Sequence, residues 1–293
     1  MFDGFTQSEI AIGDTVMHVT AGGSGPPLLL LHGYPQTRAA WHAVADSLAR
    51  HFTLIIPDLP GYGASRGPAP ETANYAKRRT AQTLRELVRV LGYEHIFVAG
   101  HDRGGRIGFR LALDYPELVR AFAPIDIVPT LDACEAMDWK RALKSYHWLF
   151  LAQPAPLAER LIGLDPDFYL DHLLTRWAGD RGALDRAAVD EYTRCFRNPT
   201  VIAATCADYR AAMSIDLEQD AADRASGKRI RCPVRVIWGR GYFPTGSPLP
   251  AWRRWAAEAD EVPLDCGHFI AEEAPAACAE ALVAFFGRQQ IST

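Results

Sequence analysis

The sequence has no stretch approaching the ~18 uninterrupted apolar residues that a membrane-spanning helix needs, so no membrane partner is expected. Its first residues, MFDGFTQSEI, have neither a basic start nor an apolar run, and no secretory signal is expected there. The six cysteines, Cys134, Cys195, Cys206, Cys232, Cys266 and Cys278, include no CxxC pair. Scattered in this way they read as free thiols of a reducing, cytoplasmic setting. Positive charge is not in excess: 31 Lys and Arg against 35 Asp and Glu leave a net charge of -4, so no global basic field invites nucleic acid. His18, His42, His51, His95 and His172 show no metal-ligand spacing and no phosphate-cradling motif occurs, so neither a metal nor an organic cofactor is expected. Repeats and low-complexity tracts are absent as well. What is present is 293 residues, 48% of them hydrophobic, enough for one large core and an inserted subdomain.

Short apolar runs alternate with helical patterns through the first half. Pro27–Leu31, Phe52–Pro57, Ile96–Gly100 and Val119–Ile125 read as buried strands, with helices over Tyr75–Leu91 and Gly105–Tyr115. Such a rhythm implies a mostly parallel sheet with helices on both faces. It stops near Pro129. From there to about Asp216 the chain reads as helical segments broken by Pro154, Pro166 and Pro199. Strand character returns at Pro233–Trp238 and near Glu261–Leu264, and a last amphipathic helix spans about Pro275 to Gly287. The expected architecture is an α/β core of residues 1–128 and 217–293, interrupted by a helical cap of residues 129–216. The cap would close a cavity over the carboxyl ends of the strands.

Val98-Ala99-Gly100-His101-Asp102-Arg103-Gly104-Gly105 is the most informative run. Its glycines flank a strand-to-helix turn and permit a sharp bend that lifts the central side chain into a pocket at a helix N-terminus. Alone, Asp102 would read as a helix N-cap. It is not alone. His32-Gly33-Tyr34-Pro35 follows an earlier strand, Asp58-Leu59-Pro60-Gly61-Tyr62-Gly63 follows the next, and Cys266-Gly267-His268-Phe269 lies near the C-terminus. With these motifs in this order the whole chain resembles the α/β-hydrolase superfamily, which implies an α/β-hydrolase fold with an oxyanion loop at His32–Pro35 and a catalytic base at His268.

An Asp at the elbow changes the chemistry. A carboxylate suits displacement at a saturated carbon and leaves an ester that water can then attack. Relatives with Asp there include haloalkane dehalogenases, epoxide hydrolases and haloacetate dehalogenases; the first two typically carry Trp at the next position. Here that position is Arg103, and Arg106 follows one turn from Asp102. Two guanidinium groups fit a substrate that brings its own carboxylate, and they keep Asp102 ionised. The plainer alternative makes Arg106 a solvated helix residue.

The run His101–Arg106 closely resembles fluoroacetate dehalogenases, as do Tyr146-His147-Trp148 and Asp208-Tyr209-Arg210. That resemblance implies a halide site made by His147, Trp148 and Tyr209, and a homodimer. Poor leaving groups gain most from donors that act mainly in the transition state. No Asp or Glu occurs from Gly239 to Ala257, where many α/β-hydrolases carry the triad acid. The resemblance puts the acid at Asp126, at the end of a strand, with Asp132 as the alternative further into the cap. His101 reads as packing and His32 as a brace of the oxyanion loop. Tyr34 stands where the family usually has Phe and is a candidate pocket residue, as is Trp177. The expected activity is hydrolytic dehalogenation of a short 2-haloacid, fluoroacetate or chloroacetate, with no cofactor. The alternatives are an epoxide or haloalkane hydrolase with an unusual elbow, and a non-catalytic receptor for a small acid.

Overall fold

The computed structural model describes residues 1–243 and 246–289. Its centre is an eight-stranded sheet: β1 (Thr6–Ile12), β2 (Thr15–Gly23), β3 (Pro27–Leu31), β4 (Thr53–Pro57), β5 (Ile96–His101), β6 (Val119–Ile125), β7 (Val234–Gly239) and β8 (Ala259–Leu264). The spatial order is β1-β2-β4-β3-β5-β6-β7-β8. β2 pairs antiparallel with both β1 and β4, and every other pairing is parallel, so β2 alone runs against the rest.

Alternation along the strands explains why both faces are covered. Leu28 and Leu30 of β3 enter one core cluster, Leu29 and Leu31 the other. Phe97 and Ala99 of β5 go with the former pair, Ile96 and Val98 with the latter. Successive side chains of a strand point to opposite faces, so an uninterrupted apolar run needs helices on both. The helices His42–Ala49 and Pro275–Gln289 cover one face through Val44, Ala45, Leu48, Leu282, Phe285 and Phe286. Lys77–Val90 and Asp102–Asp114 cover the other, the first burying Ala81, Leu84, Leu87 and Val88 at helical spacing.

The structure departs from the sequence expectations at three points. The hairpin β1–β2 is absent from them, because β1 is largely exposed and has no apolar run; the two-residue Gly13-Asp14 connection is its local signal. The helix after β5 begins at Asp102, three residues earlier than expected, because the turn is sharp enough for the nucleophile candidate itself to open the helix. Pro166 and Pro199 open helices rather than break them. Each occupies the first turn, where no amide donor is needed, behind a capping Asp165 or Asn198.

Between β6 and β7 the chain forms eight α-helices, from Thr130–Glu135 to Ile215–Ala225. The last of them crosses the expected boundary at 216/217. It is anchored to the core helix Asp102–Asp114, where Arg110 pairs with Asp220 at 3.0 Å and Asp223 at 2.6 Å. The carboxyl ends of β3 and β5 mark the point where the connections reverse direction, and the elbow and the His32–Pro35 loop meet there. No described helix is long and apolar enough to cross a membrane.

Candidate active site

Asp102 has φ +45°, a left-handed conformation that a non-glycine residue adopts only where its surroundings enforce it. The surroundings are backbone in close approach. A Cβ on Gly104 would lie 2.4 Å from the carbonyl oxygens of Leu31 and His32, and one on Gly33 would lie 2.5 Å from the Asp102 Cβ. The elbow is thus wedged between two strand ends. The Tyr34 amide donates to Asp102 Oδ1 at 3.0 Å. Burial by itself would raise the Asp102 pKa, but His268, His101, Arg103 and Arg106 outweigh it and bring the value down to about 2. The carboxylate is therefore ionised at any working pH, as a nucleophile must be.

His268 Nδ1 lies 2.5 Å from Asp126 Oδ2, while Asp126 Oδ1 accepts from the Gly239 amide at 2.8 Å. Asp126 itself sits at φ +57° just past β6. Burial lowers the His268 pKa to about 4, so its imidazole is neutral and available as a base. Asp132, the alternative acid, is far from this role: it binds Arg254 and accepts from Trp255 Nε1 at 2.6 Å. His101 does more than pack. Its Nε2 donates to the His268 carbonyl at 2.9 Å, which fixes the backbone of the base. His32 accepts the Leu59 amide on Nε2 at 3.0 Å and donates from Nδ1 to the Gly33 carbonyl at 2.9 Å, bracing the loop that carries Tyr34.

The two arginines differ. Arg103 is fully buried, with Nε donating to Asp208 Oδ2 at 2.8 Å and Nη2 to the Asp208 carbonyl at 3.0 Å. Only Nη1 is without a partner, and the guanidinium lies 4.2 Å from the Tyr209 ring centroid. The bidentate fork expected of it is already occupied by Asp208, so it can offer a ligand one nitrogen. Arg106 is buried too, which removes the solvated alternative. Its Nη1 donates to the Val128 carbonyl at 2.7 Å and Thr130 Oγ1 at 3.1 Å, its Nε is unpartnered, and its plane covers the Trp148 ring at 4.5 Å.

Beyond Asp102 lies a closed aromatic box. Tyr34 is 5.2 Å from Tyr209, 6.5 Å from His147 and 6.3 Å from Trp177, ring centre to ring centre. His147 is 4.5 Å from Trp177 and 5.6 Å from Tyr209, and Trp148 closes the group 6.3 Å from Tyr209. His147 Nδ1, Tyr209 Oη and Trp177 Nε1 are all buried with no hydrogen-bond partner. Unmet buried donors cost about 1–3 kcal/mol each, so this many in one box call for an acceptor. Burial lowers the His147 pKa to about 3, leaving a neutral ring with one N–H to donate. Trp177 thus joins the donor set, although sequence reasoning placed it only among pocket residues.

A cavity of about 340 Å³ leads from exposed Arg141 and Ser247 down to Asp102, Arg106, Trp148 and His268. Arg103, His147, Tyr209, Tyr34 and Trp177 do not line it. Among the described residues neither Arg141 nor Lys144 has an acidic partner, and each donates to a carbonyl, of Ala136 and Tyr242. With Arg106 they give an anion a cationic route inward, although the chain is acidic overall.

These features agree with the comparisons. A family model for the α/β hydrolase fold matches residues 26–275. The chain belongs to the α/β-hydrolase fold family. It is 41% identical to a fluoroacetate dehalogenase from Burkholderia sp, over 94% of this chain and 91% of the relative. It is also 34% identical to a soluble epoxide hydrolase from Corynebacterium sp. (strain C12), over 96% and 97% of the two chains. The crystal structure of ALR0039 from Nostoc sp PCC 7120, provisionally described as an α/β hydrolase, superposes with a TM-score of 0.95 at 44% identity, covering 98% of this chain and 99% of that one.

Within this α/β hydrolase, sequence reasoning missed the groups that hold the site. Asp208 is shared by Arg103, by Tyr62 Oη at 2.7 Å and by buried Lys77, so one carboxylate of the insertion grips two core helices and the loop after β4. Its place beside Tyr209 was the available signal. Tyr242, in the turn after β7, has its ring 4.2 Å from that of His268, and its proximity to the glycine pair Gly239 and Gly241 was the only hint. Arg210, by contrast, points elsewhere, to Glu159 and the Gln153 carbonyl.

Proposed function

We propose that this protein hydrolyses short 2-haloacids to 2-hydroxyacids, fluoroacetate or chloroacetate giving glycolate and halide. The observation that carries the reading is the box of unpartnered buried donors, His147 Nδ1, Tyr209 Oη and Trp177 Nε1, beside an ionised carboxylate held in a strained elbow. A departing halide is the acceptor such a box lacks. The Arg106 guanidinium and the remaining Arg103 nitrogen hold the substrate carboxylate. An Asp102 oxygen attacks the halogen-bearing carbon; the new C–O bond forms as the carbon–halogen bond breaks, and the halide leaves with the bonding pair toward His147, Trp148 and Tyr209. His268, oriented by Asp126, then takes a proton from water. The hydroxide adds to the Asp102 ester carbonyl, glycolate is expelled and Asp102 is restored. The sum is haloacetate plus water to glycolate, halide and a proton.

In this reading residues 129–216 are the cap that supplies the halide site, and the free cysteines suit a cytoplasmic enzyme. Trp139, Leu143, Leu149, Leu157, Leu161, Leu164 and Phe168 are large, exposed and all on that segment, which supports a second copy of the chain as their cover.

A second reading has one observation in its favour. Tyr209 Oη and His147 Nδ1 would serve an epoxide oxygen as well as a halide, and one relative is an epoxide hydrolase. Halide and diol release from fluoroacetate, chloroacetate, a haloalkane and styrene oxide separates the two. Turnover of the haloacids alone supports the first reading. Turnover of styrene oxide alone replaces it with the second, and no turnover of any substrate leaves a receptor.

A further inference from the structure

Glu273 lies outside every motif discussed so far, yet its carboxylate gathers four backbone amides from two distant segments. Oε2 accepts from Gly179 at 2.7 Å, Asp180 at 3.1 Å and Gly267 at 2.9 Å, and Oε1 accepts from Phe269 at 2.9 Å. Between the last two, the His268 amide donates to the Trp177 carbonyl at 3.0 Å. Three consecutive amides of the base loop are therefore tied to Glu273 or to the insertion. The two segments touch through bare glycine: a Cβ on Gly267 would lie 2.0 Å from the Gly179 nitrogen, and one on Gly179 would lie 2.7 Å from the Gly267 nitrogen. No side chain fits at this glycine contact, and the Glu273 carboxylate and the His268–Trp177 backbone bond join the two segments across it. At its other end Trp177 stands edge-on to His268 with ring centres 5.7 Å apart, and its ring meets His147 at 4.5 Å.

We propose that Glu273 is a positioning residue for the hydrolytic half of the reaction, clamping the His268 loop onto the Trp177–Asp180 segment of the insertion. The inference rests on the two-step reading above. His268 is idle while Asp102 is alkylated, and it becomes an imidazolium only when it takes the water proton. A carboxylate fixed against its flanking amides holds the ring in place for that step and favours the charge that then appears. Burial lowers the His268 pKa, and Glu273 is one of the charges that act against the lowering. Loss of Glu273 therefore weakens the base as well as loosening it. A residue that merely braced the fold would not distinguish the two chemical steps.

Glu273→Gln keeps the side-chain shape, removes the charge and turns an amide group toward amide donors. With chloroacetate, rapid-mixing measurements should show the first-turnover chloride burst nearly unchanged. Steady-state kcat should fall by about tenfold or more, as expected for partial loss of general-base catalysis, with a carboxymethyl adduct accumulating on intact-protein mass spectrometry. Glu273→Asp keeps the charge at shorter reach; it should show the same split more weakly, and it serves if the Gln variant does not fold. Equal loss of burst and steady-state rates in the folded variants, or no loss in either, overturns the assignment. If the wild type releases no halide from any haloacid, the parent reading has failed instead, and the two failures are told apart by the wild-type control.

Discussion

At the scale of the residue, the site sets two buried groups against their ordinary behaviour. Burial would favour a neutral Asp102, but the charges set around it, the Arg103 and Arg106 guanidinium groups among them, hold it ionised, with a pKa near 2. His268 is driven the other way from the usual histidine, to about 4, chiefly by burial. The free imidazole is the working form, so a lowered pKa keeps it competent as the pH falls. Hydrolysis of the ester should then be level through neutrality and decline only as the pH approaches about 4. Esterification of Asp102 removes a charge that raises the His268 pKa, which moves that limb lower still. Single-turnover hydrolysis rates against pH check this, and an acid limb near the ordinary histidine value of 6.5 contradicts it. Tyr209→Phe removes one hydroxyl that has no other partner. It should lower kcat/KM for fluoroacetate by roughly 10- to 1,000-fold, the range for one donor lost from a preorganised anion site. Chloroacetate should lose less, since chloride leaves with less help. Equal losses on both substrates would make the box a matter of shape. Asp102 and His268 could be singled out by motif order and Asp126 by the family resemblance, with Asp132 left open, and the structure sets Asp126 rather than Asp132 against His268. The restraint on Arg103 was not legible in the sequence, because its partner Asp208 is 105 positions away.

Elements carry the next level of constraint. The apolar strands β3 to β7 could be read directly, because burial on both faces leaves unbroken hydrophobic runs. β1 could not, since its exposed side chains lack that signature. The insertion's helices were legible as helices, but their packing was not, as it depends on single polar contacts. Asp208 shows why. It sits on the helix Pro199–Ala212 and holds Lys77, Arg103 and Tyr62 from three separate core segments, all buried. Asp208→Asn would leave buried Arg103 without its carboxylate and Lys77 with only Asp216 at 3.8 Å, and breaking a buried pair in this way costs about 3–5 kcal/mol. Urea unfolding should show a loss of that size together with weaker use of haloacids, because Arg103 and the neighbouring Tyr209 lose their common anchor. A stability change under about 1 kcal/mol, the value for an exposed pair, would mean that the network is solvated in practice.

For the whole molecule, the large exposed apolar residues gather on one segment. Of the nine large hydrophobics exposed among the described residues, seven lie on the helical insertion, with Leu164 at 82% and Phe168 at 71% exposure. In the proposed reading this segment also supplies the halide site, so assembly and catalysis would share a scaffold. Light scattering should give the mass of a dimer for the wild type and of a monomer for Leu161→Glu/Leu164→Glu; a monomeric wild type rules the interface out. The central claim, a carboxylate nucleophile serving carbon–halogen cleavage, is tested most directly by His268→Ala incubated with fluoroacetate. Peptide mass spectrometry should find one carboxymethyl group, on Asp102, and one fluoride released per chain. Fluoride release without an adduct on Asp102, or neither fluoride nor adduct from a wild type and variant that are both folded, would contradict the account.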